Sequence, residues 1–197
     1  MGWNIIFRQR PMSLTSIRHR TIFGMSSSKP TFPFGLQSKT QQYTEQRLLG
    51  YTAVEMYEVV VDVQRYREFV PWCIRSDIIK PAYPHSFKAH MEIGFQVVKE
   101  QYTALVTYQK PTLVKSVCTD GRLFNHLITE WRFLPGIEKQ PRSCVLDFSV
   151  SFEFRSMLHA KLAHMFFDEV VRQMVSAFLK RAEKLYGPSS MPSRRLR

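Results

Sequence analysis

Acidic residues are missing from both ends of this 197-residue chain. Residues 1–42 carry six basic side chains (Arg8, Arg10, Arg18, Arg20, Lys29, Lys39) and no Asp or Glu. Residues 187–197 carry Arg194, Arg195 and Arg197, again without an acid. Nine of the twelve net positive charges therefore belong to the ends, and residues 43–186, with 19 basic and 16 acidic side chains, stand at only +3. No basic stripe is left for the folded part, and its aromatics alternate along strands rather than interleaving with lysines, so no nucleic-acid partner is expected. Cysteine is scarce. Cys73, Cys118 and Cys144 form neither an even set nor a C-x-x-C pair, which argues for free thiols, at least two packed as small apolar residues, and against a zinc site. No run reaches the roughly 18–20 apolar residues that span a bilayer. G-x-S-x-G, H-E-x-x-H and a Gly-rich phosphate loop are also absent, so no catalytic residue, metal or cofactor is assigned.

What the ends do contain is informative. Residues 1–42 are rich in Arg and Ser and include a short apolar cluster, Trp3, Ile5, Ile6 and Phe7, the composition of an organellar presequence followed by a linker. Residues 188–197 read as a basic disordered tail, whose arginines would each add about 1 kcal/mol of attraction to an anionic leaflet. The domain between them spans residues 43–187.

Within it, the clearest signal runs from Cys144 to Phe154. Every even position there is apolar and the odd ones are mostly polar, the period of a strand covered on one face. Similar alternation marks strands over 43–51, 87–95, 101–108, 113–119 and 127–133, with a further one starting after Cys73. Thr52 and Glu55 make a capping-box pattern for a helix over 53–61 that places Val54, Tyr57 and Val61 on one side. A short helical turn follows over 64–69. From Ser156 to Leu185 the period becomes helical, with Phe166, Val170, Val171, Met174, Ala177, Phe178 and Leu185 on one arc. Leu158, Leu162 and Met165 cluster on the other, polar side of the first turns and are candidates for membrane contact. Strands with segregated helices make an α+β fold: a curved antiparallel sheet of about six to seven strands around a long C-terminal helix.

Three segments, MYEVVVDVQRYREFVPWC, CTDGRLFNHLITEWRF and LDFSVSFEFRSMLHAKLAHMFFDEVVRQMV, together resemble the mitochondrial coenzyme Q-binding proteins of the START-like, helix-grip superfamily. The resemblance covers residues 43–187. It implies a non-enzymatic protein that holds coenzyme Q and serves as its chaperone or carrier for the respiratory chain and for quinone biosynthesis. Its implied place is the matrix surface of the mitochondrial inner membrane, with respiratory complexes or biosynthetic proteins as further partners. The same superfamily offers two alternatives, a polyketide cyclase-like enzyme and a ribosome-associated RNA-binding protein. Against the first, Glu92, Glu130, Asp147 and Glu153 fall on the polar strand faces, away from the groove. The expected apolar groove is lined by Phe69, Trp72, Phe124, Leu127, Trp131, Phe133, Phe148, Phe152 and Phe154, and from the helix by Phe166, Val170 and Met174. Tyr66, Trp72 and Arg75 are expected near its mouth, where a polar head finds hydrogen bonds.

Overall fold

The computed structural model describes residues 40–197 other than 96, 97 and 123, and of these the side chains of all but 80–82, 95, 98, 119 and 157–168. Residues 1–39 of the expected presequence lie outside the described residues. Strands β1 (Thr40–Leu49), β2 (Cys73–Tyr83), β3 (Ser86–Phe95), β4 (Val98–Gln109), β5 (Leu113–Gly121), β6 (Phe124–Pro135), β7 (Cys144–Phe154) and β8 (Arg194–Arg195) form one antiparallel sheet, ordered β2-β3-β4-β5-β6-β7-β1-β8. Eight strands stand where six to seven are expected. The long strand β7 alternates between buried and half-buried along its whole length, as its period of two requires.

Between β1 and β2 lie helix α1 (Ala53–Val61) and a short 3-10 helix, Val63–Glu68. The capping box forms as the sequence predicts. The Thr52 hydroxyl accepts from the Glu55 N–H at 3.1 Å and the Glu55 carboxylate accepts from the Thr52 N–H at 2.7 Å, a pairing that stabilises a helix start by about 1 kcal/mol. The buried face of α1 differs from the expected one. Met56, Tyr57, Val59 and Val60 are inside, whereas Val54 is 43% exposed. In a helix apolar on most sides, tertiary packing rather than periodicity chooses the buried arc.

Helix α2 (Met157–Tyr186) returns across the sheet. Its Phe178 ring lies 4.6 Å from that of Trp131, and Val171, Val175 and Ala182 are buried with it. Leu185, expected on the packed arc, is 51% exposed, while Ala182 and Tyr186 on the neighbouring positions pack against the core. Among the described residues no helix is long and apolar enough to cross a membrane.

The tail also differs from its expectation of disorder. After α2 it doubles back along the free edge of β1, with Ser190 N–H donating to Gly50 O at 2.9 Å and Leu196 N–H to Gln46 O at 2.7 Å. A Cβ at Gly50 would lie 2.6 Å from the Met191 backbone, so this approach needs glycine. Arg142 anchors the turn. Its guanidinium donates to Glu55 at 3.0 Å and to the Tyr186 and Pro188 carbonyls at 2.9 Å, satisfying carbonyls at the end of α2.

Candidate functional site

Register decides which side chains share the face under α2. Val114 pairs with Trp131, Trp131 with Phe148, Phe133 with Leu146, and Leu127 with Phe152. Directly opposed residues point the same way, so all lie on one inner face with Val106 and Ala104. The expected groove residues of β6 and β7 are therefore brought together. Glu130, Asp147 and Glu153 alternate onto the outer face, where they meet Arg132 and Lys115, Gln46, and Asn125 respectively. Glu92 likewise meets Lys99 and Gln101.

The inner face divides into two parts. In the first, Trp131 lies 4.4 Å from Phe148 and 4.6 Å from Phe178, centroid to centroid. Phe178 in turn meets Tyr66 at 5.2 Å and Phe69 at 5.1 Å, both edge-on. Phe133 and Phe148 keep no more than 1% of their surface. This part is filled by the protein itself, so Phe133 and Phe148, expected to line the groove, are sealed inside the core.

In the second part, Phe124 packs against Phe154 at 5.0 Å, Phe152 at 6.0 Å and Tyr102 at 6.3 Å. Around them Leu127, Thr129, Ser116, Cys118 and Tyr102, all on the inner face, are only half-buried. Burial nonetheless pushes the Tyr66 and Tyr102 phenols well above the ordinary tyrosine range. These side chains therefore keep accessible surface on the inner face although desolvation is felt at their polar ends. The first half of α2 starts from this end of β7. The side chains of Leu158, Leu162, Met165 and Phe166 belong to it and lie outside the described residues. Val170 and Met174 follow, half-buried, with Met174 packed against the core.

The expected mouth is rearranged. Trp72 takes a left-handed backbone (φ 62°) and its carbonyl accepts from Gly94 N–H at 2.9 Å, an uncommon conformation for a bulky residue. It turns the chain so that Cys73 pairs with Ile93 on the inner face. Tyr66 donates its proton to the Val60 carbonyl. Arg75 is exposed and paired with Asp77, so it does not face the groove. Of the three thiols, Cys144 is fully buried and pushed up to about 12 by burial. Cys73 and Cys118 are half-buried, and burial raises both.

Among the described residues two acids fall at inner-face positions: Glu100, opposite Ile93 and accepting from Arg122 N–H at 2.8 Å, and Glu45. Glu45 pairs with Phe148 in register and is 2% exposed. Burial pushes its carboxyl up, but hydrogen bonds from Arg47 and from the Tyr43 hydroxyl outweigh it and hold it below the usual range. Arg195, from the returning tail, stacks 5.7 Å over the Tyr43 ring. A carboxyl depressed by folding stabilises the protein above its unfolded value of about 4.5, and that contribution is lost as pH falls through the folded value. Glu45→Gln is expected to flatten the acid limb of stability below about pH 4.5. Urea denaturation at pH 5 and pH 3 checks this, and equal losses in both proteins would refute it.

On the solvent side of α2, an open cleft of about 680 Å³ runs past Phe69 and Pro71 between Glu169, Arg172, Lys180 and Lys184. Its charged walls do not suit an apolar ligand. Among the described residues no cluster of His, Cys, Asp or Glu is placed to hold a metal ion.

Residues 49–179 match the family described as polyketide cyclase / dehydrase and lipid transport. The chain is similar to the mitochondrial coenzyme Q-binding protein COQ10 homolog B of Xenopus laevis, with 44% identity over 183 residues, 93% of this chain and 72% of that protein. It is equally similar to the mitochondrial coenzyme Q-binding protein COQ10 of Drosophila melanogaster, at 44% over 92% of this chain and 75% of that one. Among solved structures, the ZhuI aromatase/cyclase of Streptomyces sp. R1128 superposes with a TM-score of 0.64 at 13% identity, over 74% of this chain and 94% of that one. At that identity the likeness is one of fold.

Proposed function

This chain belongs to the polyketide cyclase / dehydrase and lipid transport family, among its coenzyme Q-binding members, and we propose that it works by holding coenzyme Q in the open part of the inner face. The observation that carries this is the contrast between the two halves of that face. Phe133 and Phe148 are sealed, while Leu127, Cys118 and Tyr102, beside Phe124, Phe152 and Phe154, are only half-buried. An apolar space with few polar groups suits an isoprenoid quinone.

Magnitude then limits how much of the ligand goes in. Each methylene exposed to water costs about 0.8 kcal/mol, so a bare polyprenyl tail costs tens. Pockets in domains of this size hold about 300–1,000 Å³, too little for a long tail. The head and first isoprenes sit inside while the distal tail stays in lipid, so the protein works at a membrane surface. Leu158, Leu162 and Met165, where α2 begins, are the proposed contact, at the matrix side of the mitochondrial inner membrane. Carriage or chaperoning of the quinone, rather than turnover, is the proposed activity.

The test is to purify the full chain from quinone-containing mitochondria, identify bound lipids by mass spectrometry, and float it with vesicles. Near-stoichiometric quinone and flotation that weakens in Leu158→Ser/Leu162→Ser are expected. Recovery without quinone, together with turnover of a polyketide-like substrate or sedimentation with ribosomes, would overturn the reading.

A further inference from the structure

A quinone carbonyl accepts hydrogen bonds and donates none, so an apolar site that recognises the ring as well as the tail needs a donor. The polar groups around the open part of the inner face are few, and most are already committed. Tyr66 donates to the Val60 carbonyl. Cys73 and Cys118 donate to the carbonyls of Arg75 and Asp120 at 3.5 and 3.0 Å. Ser76 donates to the Gln64 carbonyl and accepts from Arg67 N–H. Among the described residues, the hydroxyls of Tyr102, Ser116 and Thr129 have no hydrogen-bond partner.

Their surroundings separate these three. Ser116 and Thr129 are opposite each other, between Val106 and Val150, where short hydroxyls lie against an aliphatic floor. Tyr102 instead stands opposite Met91 and Gly121. A Cβ at Gly121 would lie 3.3 Å from Cys118 Sγ and 3.5 Å from Tyr102 Cβ, so the glycine lets the Cys118 thiol and the base of the Tyr102 side chain pack together. The ring meets Phe124 edge-on at 86°, and Phe124 continues into Phe152 and Phe154. A flat, electron-poor ring is accommodated by such faces. We infer that the Tyr102 hydroxyl is the donor to a carbonyl of the quinone ring, held beside the aromatic cluster of Phe124, Phe152 and Phe154. This rests on the proposed binding of a quinone.

The variant Tyr102→Phe removes one oxygen and leaves the ring packing in place. Because that oxygen has no partner in the described protein, its removal should leave the melting temperature unchanged or raise it. Binding to the full chain is measured for a short-tail ubiquinone and for a benzene carrying the same prenyl tail. In Tyr102→Phe the ubiquinone is expected to bind about five- to tenfold more weakly, with the prenylbenzene unaffected. The infrared stretch of a carbon-13-labelled quinone carbonyl should move toward its unbonded frequency. Unchanged ubiquinone affinity in Tyr102→Phe, or a loss confined to Ser116→Ala/Thr129→Val, would overturn this inference alone. A lowered melting temperature would also overturn it, by revealing a partner within the protein. A native chain that binds no ubiquinone would overturn both this inference and the reading it rests on.

Discussion

Phe148→Ala lowers the free energy of unfolding by about 3–5 kcal/mol, the range for emptying a sealed aromatic site. The loss is large because the ring has nowhere to be replaced from. Phe148 is fully buried, Trp131 lies 4.4 Å away on one side and Tyr43 6.4 Å on another. Trp131 is itself fixed against Phe178 at 4.6 Å, and through it against the helix. Collapse into the gap would have to move a strand and the helix together. Against a typical total of about 5–15 kcal/mol for a domain, one substitution removes about a fifth or more. Urea denaturation with an unchanged slope and a shifted midpoint is the expected readout. A loss below about 1 kcal/mol would mean that this half of the face is not sealed.

The parts of this fold that were legible in the sequence are those set by neighbours along the chain. The alternation from Cys144 to Phe154 reproduces β7 residue for residue, and the Thr52–Glu55 box marks where α1 begins. Both are determined by residues within one turn or one pleat. What escaped depends on partners far away in sequence. The tail is ordered by backbone bonds to Gln46 and Gly50 and by Arg142, none of which leaves a mark in the composition of residues 188–197. Glu45 shares its strand face with Gln41, Tyr43 and Arg47, a series that looks like an outer face. Only its register against Phe148 shows that this polar row is turned inward. The groove was legible as a set of aromatics but not as two halves, because burial to completion and burial to half leave the same alternating pattern. Arg75 was misplaced for a similar reason. The bulge between Cys73 and Arg75 shifts which residues of β2 face inward, and bulges have no reliable signature in a run such as Cys73–Ile79.

Leu127→Trp is expected to weaken quinone binding by roughly a hundredfold while changing stability by less than about 1 kcal/mol. Leu127 faces inward opposite Phe152 yet is only half-buried, so a larger side chain has space to enter without forcing its neighbours off their rotamers. In a filled core the same enlargement costs about 1–3 kcal/mol, and the two cases are told apart by denaturation alone. The space taken by the indole is the space proposed for the first isoprenes. Displacing one five-carbon unit forfeits up to about 4 kcal/mol at 0.8 kcal/mol per carbon, and partial accommodation leaves about 3 kcal/mol, close to a hundredfold in affinity. The pairing with Phe148→Ala is what gives the result its meaning. If the inner face is one continuous core, both substitutions destabilise and neither singles out the ligand. If it is divided at the level of Thr129, as its burial indicates, Phe148→Ala costs stability and Leu127→Trp costs binding. Titration of each variant with a short-tail ubiquinone, alongside its unfolding curve, distinguishes the two. A Leu127→Trp protein that binds quinone normally, or that loses more than about 2 kcal/mol of stability, would place the ligand elsewhere.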